Sequence, residues 1–176
     1  MCMPKLLLIV GLLWVTQAQA ESKVPKLGKP APKELIARWD YDVFPDGTGL
    51  PEGQGTVAQG KLVYQQACQS CHGVEGQGGS ADELAGARHG LTDNPPDKTI
   101  GTYWPYATTL FDFTRRAMPL DRPGSLSNDQ VYAVTAYLLY LNHIITADMQ
   151  VSAKNLASIA MPNRDGFINV YAHEER

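Results

Sequence analysis

The chain has 176 residues, of which 44% are hydrophobic and 19% charged, and a formal net charge of −3. That length fits one domain with a buried core. The slight acidity, with no basic stretch, excludes the positive face that nucleic-acid binding requires, and no internal repeat is visible.

Residues 1–20 read as a cleavable secretion leader. Met1-Cys2-Met3-Pro4-Lys5 is a short positive start, Leu6 to Val15 is apolar apart from Gly11, and Ala18-Gln19-Ala20 is a small-x-small cleavage site. The apolar run is too short to cross a bilayer, which takes about 20 apolar residues, so no transmembrane anchor is expected once the leader is removed. Cleavage after Ala20 removes Cys2 and leaves Cys68 and Cys71 as the cysteines of the exported chain.

Residues 21–34 are rich in Lys and Pro and read as a linker. In residues 38–55, Trp39, Tyr41, Val43 and Phe44 precede Pro45-Asp46-Gly47 and further glycines. The aromatics are expected to pack on the domain while the glycines turn, without regular structure. The first helix is predicted to start near Thr56, with Val57, Gly60, Tyr64 and Ala67 on one face. Gly60 costs about 1 kcal/mol in mid-helix relative to Ala, a cost that points to close helix approach.

This helix runs into Cys68-Gln69-Ser70-Cys71-His72, the attachment pattern of c-type haem. Each thiol adds across one vinyl group of the porphyrin, and the following histidine then sits beneath the iron as proximal ligand. A thioredoxin-like redox pair would lie near a βαβ pattern, whereas the surroundings here are helical. A zinc site would need more cysteine or histidine close by. One such motif predicts one covalent haem c. Because this attachment occurs outside the cytoplasm in bacteria, it agrees with the leader and with a periplasmic location. The following Gly73–Gly79 stretch lacks a Gly-Lys-Ser/Thr ending, so it reads as a loop around the porphyrin edge and not as a phosphate loop. Leu84-Ala85-Gly86 is expected to return an apolar residue to the pocket.

After the Pro95-Pro96 turn, Thr108 to Ala117 reads as a helix that stops before Met118-Pro119. The last strong helix is Ser127 to Asn142, with a capping box at Ser127 and Gln130 and a buried stripe of Val131, Val134, Leu138 and Leu141. Tyr137 lies beside the stripe, within reach of Gly60 or Tyr64. Methionine sulfur commonly fills the sixth iron position in electron carriers. The candidates are Met118, Met149 and Met161, and Met118 is preferred because its loop lies between two helices. His89 and His143 are the rival ligands. Trp104 and then Arg115 are the first choices for hydrogen bonds to the haem propionates. Arg115 and Arg116 also place positive charge near the distal loop, where one of them would steer an acidic partner.

Taken in order, the haem motif, Leu84-Ala85-Gly86, the Met118-Pro119 loop and the capped final helix resemble the class I cytochrome c family over residues 56–143. The implied fold is all-α: a monohaem class I cytochrome c domain at 56–145, an irregular N-terminal extension at 21–55 and a C-terminal arm at 146–176. At Asp82 the chain departs from the family's common Pro-x-Leu-Ala-Gly, although the Asp82 carbonyl can still accept the proximal histidine N–H. A narrower resemblance rests on Trp39-Asp40-Tyr41-Asp42-Val43, Pro45–Pro51, Gly101–Asp112, Arg115–Pro119 and Met161–Phe167. These strings resemble the cytochrome subunit of bacterial sulfur and sulfite dehydrogenases. That resemblance implies a molybdenum-cofactor dehydrogenase subunit as electron donor and a downstream cytochrome as acceptor. Two functions follow: a non-enzymatic electron-transfer protein with iron between His72 and Met118, or a haem enzyme or gas sensor with an open sixth position.

Overall fold

Thr56 ends a strand and starts a helix. In this computed structural model, which describes residues 27–168 and 170, strand β1 (Gln54–Thr56) runs directly into helix α2 (Val57–Ala67). The Thr56 hydroxyl accepts the Gln59 N–H at 3.3 Å, and the Gln59 side chain accepts the Thr56 N–H at 3.0 Å. This reciprocal cap satisfies two of the donors that a helix start leaves open. The leader expected at 1–20 lies outside the described residues.

Helix α2 buries Val57, Gly60 and Tyr64, the face expected from their spacing. Its partner is α5 (Asn128–Leu141), which starts with the predicted Ser127–Gln130 capping box. Every residue of α5 from Val131 to Leu139 is buried, all round the helix, while Leu141 of the expected stripe is only half-buried. The reason is enclosure: α2, α4 (Ala107–Ala117), β1 and β2 (Gln150–Ser152) all pack on it. At the α2–α5 crossing, a Cβ on Gly60 would overlap the Ala133 carbonyl and lie 2.8 Å from the Tyr137 Cβ. Gly55 approaches Ala133 from β1 as well, where a Cβ would overlap the Ala133 nitrogen. Tyr64 then meets Tyr137 with ring centroids 5.3 Å apart. On the other side of α5, Phe111 of α4 packs on Tyr132 at 4.4 Å.

The chain outside these helices is more ordered than its composition predicts. A five-residue helix, α1 (Lys33–Ala37), lies at the end of the expected linker. The extension and the arm meet in an antiparallel ribbon in which Gly55 of β1 faces Val151 of β2. A short 3-10 turn follows at Leu156–Ser158. The fold is therefore mainly helical with a two-stranded ribbon added, which corrects the expectation of no regular structure at 38–55 for Gln54 and Gly55, and Trp39 and Phe44, expected to pack on the domain, are exposed. Three-residue strands are too short to show a period, and this pairing joins segments almost a hundred residues apart. Among the described residues, no helix is long and apolar enough to cross a membrane.

Two stability measurements follow. Gly60→Ala should lower the denaturant midpoint with an unchanged slope. Its helix-propensity gain of about 1 kcal/mol is outweighed by overpacking of about 2–3 kcal/mol. Tyr64→Phe removes the hydrogen bond from its phenol to the Gly73 carbonyl at 2.8 Å and should cost about 1 kcal/mol at neutral pH. Burial, helped by Cys68 and Tyr137, pushes the Tyr64 phenol up from 10.0 to about 12. Its folded pKa is raised, so the stability it contributes is complete below pH 10.0 and is lost as pH rises towards 12. A pH series of denaturant melts should show that loss shallower in Tyr64→Phe.

Candidate functional site

Helix α2 breaks at Cys68, whose backbone leaves the helical region at φ −125°. A single helical turn, α3 (Gln69–His72), follows at once, closed by the Cys71 and His72 N–H groups on the Cys68 carbonyl at 3.1 and 3.0 Å. This turn brings Cys68, Cys71 and His72 to one cavity of about 710 Å³, within the range of roughly 300–1,000 Å³ that encloses a small cofactor or ligand. No disulfide joins Cys68 and Cys71. Burial, with a smaller push from neighbouring Cys71, raises the Cys68 thiol to about 11, so its sulfur is uncharged at neutral pH. An uncharged sulfur at an apolar wall suits a thioether as well as a thiol.

His72 is oriented from behind. Its Nδ1 lies 2.8 Å from the Asp82 carbonyl oxygen. A carbonyl only accepts, so Nδ1 carries the proton and Nε2 keeps its lone pair for a metal. Asp82 thus provides the backbone acceptor despite replacing the family's proline. The glycine-rich loop that carries it is knitted together: Gly78 N–H donates to the His72 carbonyl at 2.9 Å, and Ala81 N–H to the Cys71 carbonyl at 3.0 Å. Gly73 starts this loop at φ +82°, and a Cβ there would crowd the Gly78 carbonyl at 2.6 Å.

The rest of the cavity is mostly apolar. Leu84, Ile100, Trp104, Leu110, Val134 and Leu138 line it. Asn142, at the end of α5, holds two of these wall segments together. Its amide donates to the Leu84 carbonyl at 3.0 Å and accepts the Gly101 N–H at 3.0 Å. Sequence reading treated Asn142 only as a helix boundary, and its bridging role depends on loops distant in sequence.

Met118 also lines the cavity. It is the C-cap of α4, its N–H donating to the Thr114 carbonyl at 3.1 Å and its own backbone already extended. Met161 is 4% exposed in the hydrophobic core, and Met149 packs half-buried against that core; neither lines the cavity. His89 is exposed beside Asp97 at 3.3 Å, and His143 is exposed at the end of the final helix.

Trp104 is a half-buried part of the cavity wall, its ring 5.8 Å from that of Phe113. Arg115 is not part of the wall. Its guanidinium donates to the Tyr41 carbonyl at 3.3 Å. Arg116, the other residue considered for steering, pairs with Asp112 and lies 3.4 Å from Asp42. The basic residue that reaches the cavity rim is Arg122, with Asp121 at 3.3 Å. Sequence reading missed it, although its position four residues after Met118 was a usable signal.

The arrangement offers two attachment sulfurs, an oriented imidazole and a thioether on one apolar cavity, a donor set that fits covalent haem. The family described as Cytochrome c matches residues 57–142. Thiosulfate dehydrogenase of Stutzerimonas stutzeri (strain A1501) is 32% identical over 116 residues, which is 63% of this chain and 34% of that protein. This chain therefore spans about a third of that relative's length. A chain of the crystal structure of the sulfane dehydrogenase SoxCD from Paracoccus pantotrophus is 41% identical, with a TM-score of 0.77, and the match covers 86% of this chain and 75% of that one. That coverage is wider than the family span, so the likeness takes in residues beyond the helical domain. The chain belongs to the cytochrome c family, whose members carry covalently bound haem c, and is related over most of its length to a chain of SoxCD.

Proposed function

We propose that this protein is a periplasmic c-type cytochrome with one haem that transfers single electrons, as the electron-accepting subunit or partner of a molybdenum-dependent sulfite or sulfur dehydrogenase. The observation that carries this reading is the presence of His72 and Met118 on one apolar cavity together with Cys68 and Cys71. Haem c, when bound, supplies a one-electron iron couple.

The chain's residues have separate roles. Cys68 and Cys71 would anchor the porphyrin as thioethers. His72 presents Nε2 to the iron, held in that tautomer by the Asp82 carbonyl. Met118, on the same cavity, would hold the iron through its thioether, whose soft sulfur would favour the reduced state. Apolar side chains such as Ile100, Leu110 and Leu138 exclude water and hold the ligands in place. Trp104 on the wall is the proposed hydrogen-bond donor to a propionate, and Arg122 at the rim is the nearby positive charge. Arg115 serves instead to hold the extension through Tyr41. If His72 and Met118 both hold the iron, the chain would offer a substrate no open place there, and the sulfur chemistry would belong to the partner.

The names of the relatives support the choice of partner, since one is a sulfane dehydrogenase and one a thiosulfate dehydrogenase. A downstream cytochrome would take the electron onward. The leader-like pattern of residues 1–20 supports export to the periplasm. The second reading, a haem enzyme with an open sixth position, is favoured by the enzyme name of the Stutzerimonas relative. A high-spin oxidised haem that binds carbon monoxide readily in the wild-type protein would select it.

Two measurements test the assignments. Cys68→Ala combined with Cys71→Ala should abolish haem staining on a denaturing gel while export continues, and retained staining would place attachment elsewhere. Met118→Ala should give a high-spin spectrum and lower the potential by about 0.1–0.3 V, part of the ~0.8 V range that axial ligation spans. Met161→Ala should keep the wild-type spectrum and instead cost about 2–4 kcal/mol of stability as a core truncation. A high-spin Met161→Ala protein would reverse the ligand assignment.

A further inference from the structure

We propose that Asp112 is a positioning residue for Met118, clamping the last turns of α4 to the N-terminal extension and so fixing the point from which Met118 leaves the helix. This rests on the reading of Met118 as the sixth iron ligand.

Asp112 is 7% exposed and lies six residues before Met118. One carboxylate oxygen accepts the Val43 N–H at 3.1 Å, and the other accepts from Arg116. Arg116 also reaches Asp42 at 3.4 Å, and Arg115 donates to the Tyr41 carbonyl at 3.3 Å. Three side chains from the second half of α4 therefore bind three consecutive residues of the extension. Val43 is itself buried in the core, so the extension is a fixed support.

The end of a helix has unpaired carbonyls and frays unless something holds it. Here the fraying end leads directly into Met118. A buried carboxylate is costly unless both of its oxygens are satisfied, and these two are. Charge-assisted bonds also fix direction more tightly than apolar packing. Removing the carboxylate strands the Val43 N–H and deprives Arg116 of its buried partner. The turn before Met118 then gains freedom, and the sulfur leaves iron more often.

Cyanide binding to the oxidised holoprotein reads that departure, because cyanide needs an open sixth position. Asp112→Ala should accelerate binding about ten-fold or more, the factor expected for losing one charge-assisted hydrogen bond, and should weaken the sulfur–iron charge-transfer band. Asp112→Asn retains an acceptor for Val43 and should fall between. Tyr132→Phe is the control: it loses the bond from Tyr132 to the Pro51 carbonyl at 2.8 Å, which anchors the same extension on α5. It should lose stability while keeping the wild-type cyanide rate. Equal rates in Asp112→Ala and Tyr132→Phe at matched stability loss would overturn the proposal. If Asp112→Ala does not fold, Asp112→Asn and Arg116→Gln decide the same comparison. Met118→Ala, run in parallel, separates the two ideas. If it keeps the charge-transfer band, the ligand assignment fails. If it loses the band while the Asp112 variants keep wild-type kinetics, only the positioning role fails.

Discussion

The contact between Gly60 and Ala133 governs the helical domain. Two helices cannot approach to backbone distance with a Cβ between them, and at this crossing the Cβ is missing from α2. The approach is close enough for Tyr64 to settle on Tyr137 and for its phenol to reach the Gly73 carbonyl at 2.8 Å. That bond ties the buried face of α2 to the first residue after His72. The end of α2, and with it Cys68, Cys71 and His72, is thereby placed on the core. A helix displaced outward by a methyl group would carry the whole attachment turn with it.

The remaining architecture is a set of clasps made by unusual strings. Asp42 and Val43 meet Asp112 and Arg116 at the end of α4. Asn163 donates to the Tyr103 carbonyl at 2.7 Å, Phe167 packs edge-on against Tyr103 at 5.4 Å, and Arg164 lies 5.6 Å from the Tyr106 ring centroid. The extension holds one end of α4 and the tail holds the segment that leads into the other, while the β1–β2 ribbon joins extension to tail. These contacts explain why the distinctive strings occur together in one chain: each supplies the partner groups that another needs.

The clasps also change the electrostatic reading. Arg115 and Arg116 look in sequence like free positive charge beside the distal loop, but one serves a backbone carbonyl and the other two aspartates. Arg116 stays exposed, but its charge is paired with these aspartates. Arg122 remains at the rim with Asp121 beside it, so that surface carries a paired charge rather than a strong positive field. An apolar, weakly charged rim favours close approach of a partner over long-range attraction.

The sequence by itself determined what depends on neighbours along the chain. The Cys-x-x-Cys-His spacing, the two capping boxes, the periodic faces of α2 and α5, and the stop before Pro119 are local chemistry, legible within a few residues. Even the Gly60 approach was readable, because glycine in mid-helix is costly without a reason. Tertiary structure alone decided what depends on distant partners. It paired Gly55 with Val151, placed Met161 in the core, set Asn142 between the Leu84 and Gly101 segments, and turned Arg115 towards Tyr41 while bringing Arg122 to the rim. A charged side chain near a site has the same sequence signature whether it faces the site or a clasp behind it. Which way it faces depends on the hydrogen-bond acceptors that the rest of the fold brings within reach.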